Sequence, residues 1–340
     1  MAEKILLNVT LYTHEDCKLC DEARKHLKSL QKKFPHRLAE VDIDSDPVLQ
    51  QAYFDQIPVI EVGPYKLKAP ITKQALEMTL GAASDRRSQL VQMGDEKYKE
   101  NVRKGQTVTG SDGIYFWLSK HYLALLNLIV FLYVGLPFLA PTLMKINAEV
   151  PARLIYLVYS PLCHQFGFRS FFLFGEQAYY PLKEAGIANV RTFDQITGYP
   201  DLANPYSISR LSARQYTGDQ TVGYKVALCE RDVAIYGALV VFGLLYGLTH
   251  RRLPALHWMV WILIGLGPIG LDGFSQMFSQ FNWPWLAQYL PYRESTPFLR
   301  VLTGFLFGFT TAWFAYPNIE ESMQETRQFF IKKFAVAKSV

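Results

Sequence analysis

The chain lacks the signatures of several large enzyme classes. It has no glycine-rich phosphate loop, no H-E-x-x-H and no G-x-S-x-G, so nucleotide, metalloprotease and serine-hydrolase chemistry find no residues to rest on. Nothing points to nucleic acid, and the net charge of +5 is what a protein facing anionic lipid would carry. No cleavable signal precedes the first strand, because the chain opens on Met1-Ala2-Glu3-Lys4 and runs directly into apolar residues. The first domain is therefore expected to stay in the cytosol. Cysteine is scarce, 4 in 340 residues, and none lies between Cys20 and Cys163.

What cysteine there is carries information. In Val9-Thr10-Leu11-Tyr12-Thr13-His14-Glu15-Asp16-Cys17-Lys18-Leu19-Cys20-Asp21 two thiols stand at C-x-x-C spacing where an apolar strand gives way to a helix. A helix N-terminus carries about half a positive charge, which stabilises the thiolate of Cys17 as nucleophile and leaves Cys20 one turn away as resolving thiol. Two other readings stand beside this one. The pair could be half of a zinc site, but that needs two more ligands, and only His14 and His26 are close in sequence. It could also be an inert, reduced surface pair.

After Cys20 come a basic amphipathic helix with Ala23, Leu27 and Leu30 at helical spacing, a strand over 37–43, and a short helix opened by Asp46-Pro47. Then Ile57-Pro58-Val59-Ile60 places a proline at the head of a strand, where a cis peptide marks a deliberate turn. Through these features residues 4–81 resemble the glutaredoxin-like proteins of thioredoxin fold. The resemblance implies an α/β domain over 1–81 whose site residues are Cys17, Cys20 and Pro58, with glutathione as a possible thiol cofactor. Lys18 stands where the common glutaredoxin pattern has proline, which puts glutathione use in doubt and adds a cation beside Cys17.

The rest of the chain is different material. The sequence is 50% hydrophobic and 14% aromatic, and the excess sits after residue 114. Residues 82–113 are polar with little apolar periodicity and read as a linker with one surface helix. Beyond them, 122–140, 233–248, 255–278 and 297–316 have the length and composition to cross about 30 Å of hydrocarbon. A fifth segment, 152–174, is apolar but interrupted by Pro161, Cys163-His164-Gln165 and Arg169-Ser170, and could span or re-enter. The expected architecture is an α/β thioredoxin-like domain followed by an all-α transmembrane bundle of four spans plus one interrupted or re-entrant segment. The membrane domain covers 114–318 with an extramembrane insert at 176–224, and 319–340 forms a basic tail. Lys97, Lys99, Arg103 and Lys104, then His250-Arg251-Arg252, then Lys332-Lys333 flank the spans on one side if 152–174 does not cross, which favours four spans with both ends inside. If it does cross, the last two groups move outside.

Polar residues at span ends are expensive, so their positions weigh more than the apolar runs. Cys163, His164, Gln165 and Arg169 lie in the interrupted segment; Cys229 and Arg231 precede the second clear span; Asp272 and Gln276 end the third; Arg293 and Arg300 frame the fourth. Antiparallel spans bring these to one face. Arg231, Arg293 or Arg300 is expected to pair with Asp272. A structural ion-pair network, a metal site, a Cys163–Cys229 disulfide and an anionic headgroup site all remain open on these residues.

This half resembles an uncharacterised family of predicted prokaryotic membrane proteins, a domain of unknown function. The resemblance rests on Leu162-Cys163-His164-Gln165-Phe166-Gly167-Phe168-Arg169-Ser170, Leu228-Cys229-Glu230-Arg231, Leu271-Asp272-Gly273-Phe274-Ser275-Gln276 and Arg300-Val301-Leu302-Thr303-Gly304. Where the family often has a second cysteine this chain has Asp232, which discounts a metal held by Cys163, His164, Cys229 and Asp232. The resemblance implies an integral protein of a prokaryotic cytoplasmic membrane. The expected function is a membrane-anchored thiol–disulfide oxidoreductase, partnered by the bilayer, by a thiol or disulfide protein or glutathione, and by other membrane subunits. The alternative is a membrane binding or assembly module for lipid, metal or a larger complex, with an accessory redox-sensing domain.

Overall fold

The computed structural model describes residues 6–281, 289 and 291–339, without the side chain of Lys99. The opening Met1-Ala2-Glu3-Lys4 and Val340 lie outside the described residues. The chain divides into two compact units, one of residues 1–121 and 321–340, the other of 122–320.

The first unit is built on a four-stranded sheet. Strand β1 (Leu7–Thr13) is almost wholly buried because it is central: it runs parallel to β2 (His36–Asp42) and antiparallel to β3 (Val59–Val62), which pairs with β4 (Tyr65–Leu67). Helix α1 (Lys18–Leu30) buries Cys20, Ala23, Leu27 and Leu30, and with α3 (Lys73–Gln92) it closes a core on Val9, Leu11, Ile60 and Val62. Helix α2 (Pro47–Tyr53) starts where the Asp46 carboxylate accepts the Val48 N–H and proline takes the first turn. It covers a second cluster of Tyr12, Val41, Ile43, Leu49, Tyr53 and Val59.

Two expected boundaries differ. Most of the supposed linker is helical, in α3 and in α4 (Glu96–Gln106), because Thr72 and Asp95 cap the helix starts by accepting from Ala75 and Tyr98. The end of α3 beyond Ala83 and the whole of α4 lie at the surface and need few apolar positions, so periodicity pointed to no more than the one surface helix expected there. The supposed tail is the end of the 42-residue helix α11 (Pro297–Lys338), and its Ile331 and Ala335 pack on the Tyr12–Val59 cluster. In the same unit, Lys332 pairs with Glu61 (2.6 Å) and Lys333 with Asp112 (2.8 Å), while Phe116 and Phe334 meet edge to face at 5.3 Å.

In the second unit, among the described residues, four helices are long and apolar enough to cross a membrane: α5 (Gly110–Lys145) and α11, both shared with the first unit, α9 (Glu230–Leu248), and α10 (Trp258–Gln280), which contains a π-helical stretch at Trp261–Leu266. The interrupted segment makes only the 11-residue α6 (Glu149–Tyr159), about 16 Å long against about 30 Å of hydrocarbon. It then turns through Gly167–Arg169 into strand β5 (Ser170–Leu173). The supposed insert is continuous with this: α7 (Phe193–Thr197), α8 (Ser209–Gln215) and a sheet ordered β5-β7-β6, with β6 at Gly218–Asp219 and β7 at Gly223–Cys229, enclose Phe168, Phe172, Tyr180, Phe193 and Val222. Helices α9 and α11 meet backbone to backbone, since a Cβ on Gly304 or Gly308 would come within 2.8 Å of the Arg231 carbonyl or 2.2 Å of the Ile235 carbonyl.

Candidate functional site

The sulfur pair sits at the junction of β1 and α1. Asp16 takes a positive φ of 60° and turns the chain, and Cys17 then caps α1 from an extended backbone, its sulfur accepting the Cys20 N–H at 3.1 Å. The two cysteines are joined as a disulfide with Cα atoms 5.2 Å apart. Cys20 is 1% exposed, whereas Cys17 is half-buried and followed by exposed Lys18 and Leu19. One sulfur is therefore presented and the other enclosed, and the presented one lies where helix N–H groups favour negative charge. The Ile57–Pro58 bond is cis, and the next residue, Val59, pairs with Tyr12 at the same end of β1 from which the cysteine loop departs.

A charged cluster lies on the second face of the sheet. The Tyr12 hydroxyl donates to Glu61 (3.3 Å), which also receives Lys332 and Lys66. Burial would raise the Glu61 carboxyl, but the two ammonium groups outweigh it and hold the group below the ordinary carboxylate value.

The polar residues of the second unit form separate centres. Asp272 is buried and receives Arg231 (2.5 Å), Arg293 (2.7 Å) and the Ser295 hydroxyl (2.8 Å). Arg300 is not among its partners. It pairs with Glu230 (3.4 Å) and with Glu294, which Arg169 also grips with two parallel bonds of 2.8 and 2.9 Å. Burial opposes ionisation of Glu294, but Arg169 and Arg300 prevail and keep its carboxyl below the usual range. Gln276 is buried beside Asp272, and its Nε2, like Arg231 Nε, has no acceptor among the described residues.

Sequence reasoning missed Glu294, Glu230 and Ser295. The available signal was a count: Arg169, Arg231, Arg293 and Arg300 outnumber the single acid Asp272 selected beside them. It also missed Lys225, which is 1% exposed in β7 and donates to the carbonyls of Gln165 (2.8 Å) and Arg214 (2.7 Å). Burial brings its ammonium down to about 7. Gln165, buried with φ of 52°, donates to the Tyr156 carbonyl and so holds the turn that carries Cys163.

The remaining candidates separate. Cys163, at the end of the turn after α6, comes together with Cys229, the residue just before α9, and with Asp232 in the first turn of α9. Their ligating atoms all lie within 4.8 Å of one another. His164 points elsewhere: it is exposed, stacks on Phe166 at 5.6 Å, and lines a cavity of about 450 Å³ with Arg169, Arg210, Arg214 and Gln280.

Comparison with known proteins gives each half a relative. Residues 8–81 match the glutaredoxin-like domain family, and residues 220–314 match a family described as predicted membrane protein, domain of unknown function 2085. An uncharacterized protein of Methanocaldococcus jannaschii is 24% identical over 209 residues, 59% of this chain and 93% of that protein. No solved structure matches. The chain joins a glutaredoxin-like domain to a membrane domain of unknown function.

Proposed function

We propose that this chain is a membrane-anchored thiol–disulfide oxidoreductase. The observation that carries the reading is the asymmetry of its sulfur pair, with Cys17 half-exposed at a helix start and Cys20 enclosed one turn on. In the reduced enzyme the Cys17 thiolate attacks a substrate disulfide, forming a mixed disulfide and releasing one substrate thiolate, which takes up a proton. Cys20 then loses its proton and attacks the Cys17 sulfur, releasing the second substrate thiol and leaving Cys17–Cys20 oxidised, so two electrons have passed to substrate. A thiol protein or glutathione restores the dithiol. Pro58 stands at the rim of this site as a positioning residue.

The proposed setting is the prokaryotic cytoplasmic membrane with the redox domain in the cytosol. Two features support it: residues 321–338 pack within the same unit as the redox sheet, and Lys97, Arg103, Lys104, Arg251, Arg252, Lys332 and Lys333 flank the spans on one side when four are counted. The second reading, a binding or assembly module, draws on the ion-paired centres at Asp272 and Glu294, which contain no catalytic constellation. In the oxidoreductase reading, detergent-purified full-length protein reduces insulin or a glutathione mixed disulfide when supplied with dithiol, and Cys17→Ser brings turnover to background. Wild-type protein without turnover on any disulfide would leave the binding reading in its place.

A further inference from the structure

Glu230, Asp272 and Glu294 each hold at least one arginine, as buried carboxylates in or beside a membrane should. Asp232 does not. Among the described residues its carboxylate has no lysine or arginine ion pair, and an oxygen of it lies within 4.8 Å of two sulfurs. A carboxylate has no part to play in a disulfide between those sulfurs; while the thiols keep their protons the three groups hydrogen-bond to one another, and once ionised they can stay together only around a cation. The elements that bring them together are well determined locally. Gln165 and Lys225 lock the turn bearing Cys163, while the pairing of Ser170 with Cys229 fixes the end of β7 where α9 begins. Ala140, Tyr159, Ala227 and Leu228 wall the sulfurs with apolar surface.

We propose that Cys163, Cys229 and Asp232 form a binding site for a divalent ion of the zinc class, with three protein ligands and one open coordination position. The dimensions suit it. A tetrahedral zinc with Zn–S of about 2.3 Å and Zn–O of about 2.1 Å has ligand–ligand edges of about 3.6–3.8 Å, so ligating atoms within 4.8 Å need only a small closing movement. The donor set selects the ion: two thiolates exclude magnesium and calcium, and the carboxylate weighs against copper(I). Cys229 and Asp232 also lie at the N-terminus of the 19-residue α9, whose dipole favours the anionic ligands. Binding converts both thiols to thiolates and releases two protons, with no change of oxidation state. His164 is left out of the ligand set because it lines the separate cavity with Arg169 and Arg210.

The inference is independent of the redox loop and is tested apart from it. Full-length protein carrying Cys17→Ser and Cys20→Ser is purified anaerobically in detergent, loaded with zinc or cobalt(II), desalted and analysed for metal. One equivalent of zinc per chain is expected, together with a cobalt spectrum showing thiolate charge transfer and tetrahedral visible bands. Cys163→Ser and Cys229→Ser should lose the metal, Asp232→Asn should weaken binding at least about tenfold, and His164→Ala should leave it unchanged. Asp232→Cys keeps the metal and strengthens the charge-transfer band, which separates ligation from loss of fold. Reduced wild-type protein that takes up no metal, or uptake that persists in Cys163→Ser and Cys229→Ser, overturns the proposal. So does a Cys163–Cys229 disulfide that forms in air and excludes no bound ion.

Discussion

Cys17 and Cys20 are three residues apart, yet one sulfur caps a helix and the other is sealed beneath it, and the roles proposed for them rest on this difference in surroundings. Spacing alone made both redox candidates legible, because the helix dipole acts on whichever cysteine begins the helix. The membrane half was less legible at this scale. Single polar residues near span ends announce that something is there, but pairing depends on which loop delivers which acid, and Glu294 stood unnoticed beside Arg293. Its side chain is 1% exposed and faces Arg169 and Arg300, so Glu294→Ala leaves two guanidinium groups without their shared acid. The expected cost is about 3–5 kcal/mol, read as a lower thermal unfolding midpoint of the detergent-solubilised protein, whereas Arg153→Ala, at an exposed pair, leaves the midpoint in place.

Among the elements, α11 is the one whose sequence misleads most. Its last turns carry Lys332, Lys333 and Lys338 and read as a solvated basic tail, although Ile331 and Ala335 recur at i, i+4 and bury against the sheet. Glu61 secures this contact, and its pH behaviour follows from the sign of its shift. A carboxylate whose folded value is lowered contributes stability above its ordinary value of 4.5, and that contribution is lost as pH falls through the lower folded value. Corrected for the intrinsic rate, which itself falls with pH in this range, the protection of amides over residues 327–338 is therefore expected to drop on acidification below that ordinary value. Glu61→Gln should show the lower protection already at neutral pH. Equal exchange in wild type and variant at every pH would remove Glu61 from the contact. Helices α9 and α11 are another case: Gly304 and Gly308 stand at the four-residue spacing that lets helices approach closely, a pattern that went unread until the structure brought the two backbones together.

For the whole molecule, the chain leaves the first unit along α5 and returns to it along α11, so an even number of crossings is required if both ends keep to one side. Four helices of spanning character among the described residues satisfy this, and α6 is too short to be a fifth. In the proposed four-span topology Tyr206, 86% exposed between α7 and α8, is assigned to the non-cytosolic side, so Tyr206→Cys is expected to react with a membrane-impermeant maleimide in intact cells, while tags at either terminus stay protected from added protease. Labelling only after permeabilisation would reverse the orientation. The fold was legible where period and length decide, in the thioredoxin-like strands and the long apolar helices. It was illegible where tertiary contact decides: the return of α11 to the redox sheet, and the small β-sheet that joins a strand from the supposed broken span (β5) to strands at the end of the supposed insert (β6 and β7).

The account rests on Cys17 as the attacking sulfur, and one trapping experiment reaches it directly. Membranes from cells expressing Cys20→Ser or Cys17→Ser are quenched in acid, free thiols are blocked, and non-reducing gels and mass spectrometry are used to find mixed disulfides. Cys20→Ser is predicted to accumulate a partner or glutathione bonded to Cys17, released by dithiothreitol, with none in Cys17→Ser. Adducts at Cys20 in Cys17→Ser, with none at Cys17 in Cys20→Ser, would contradict it.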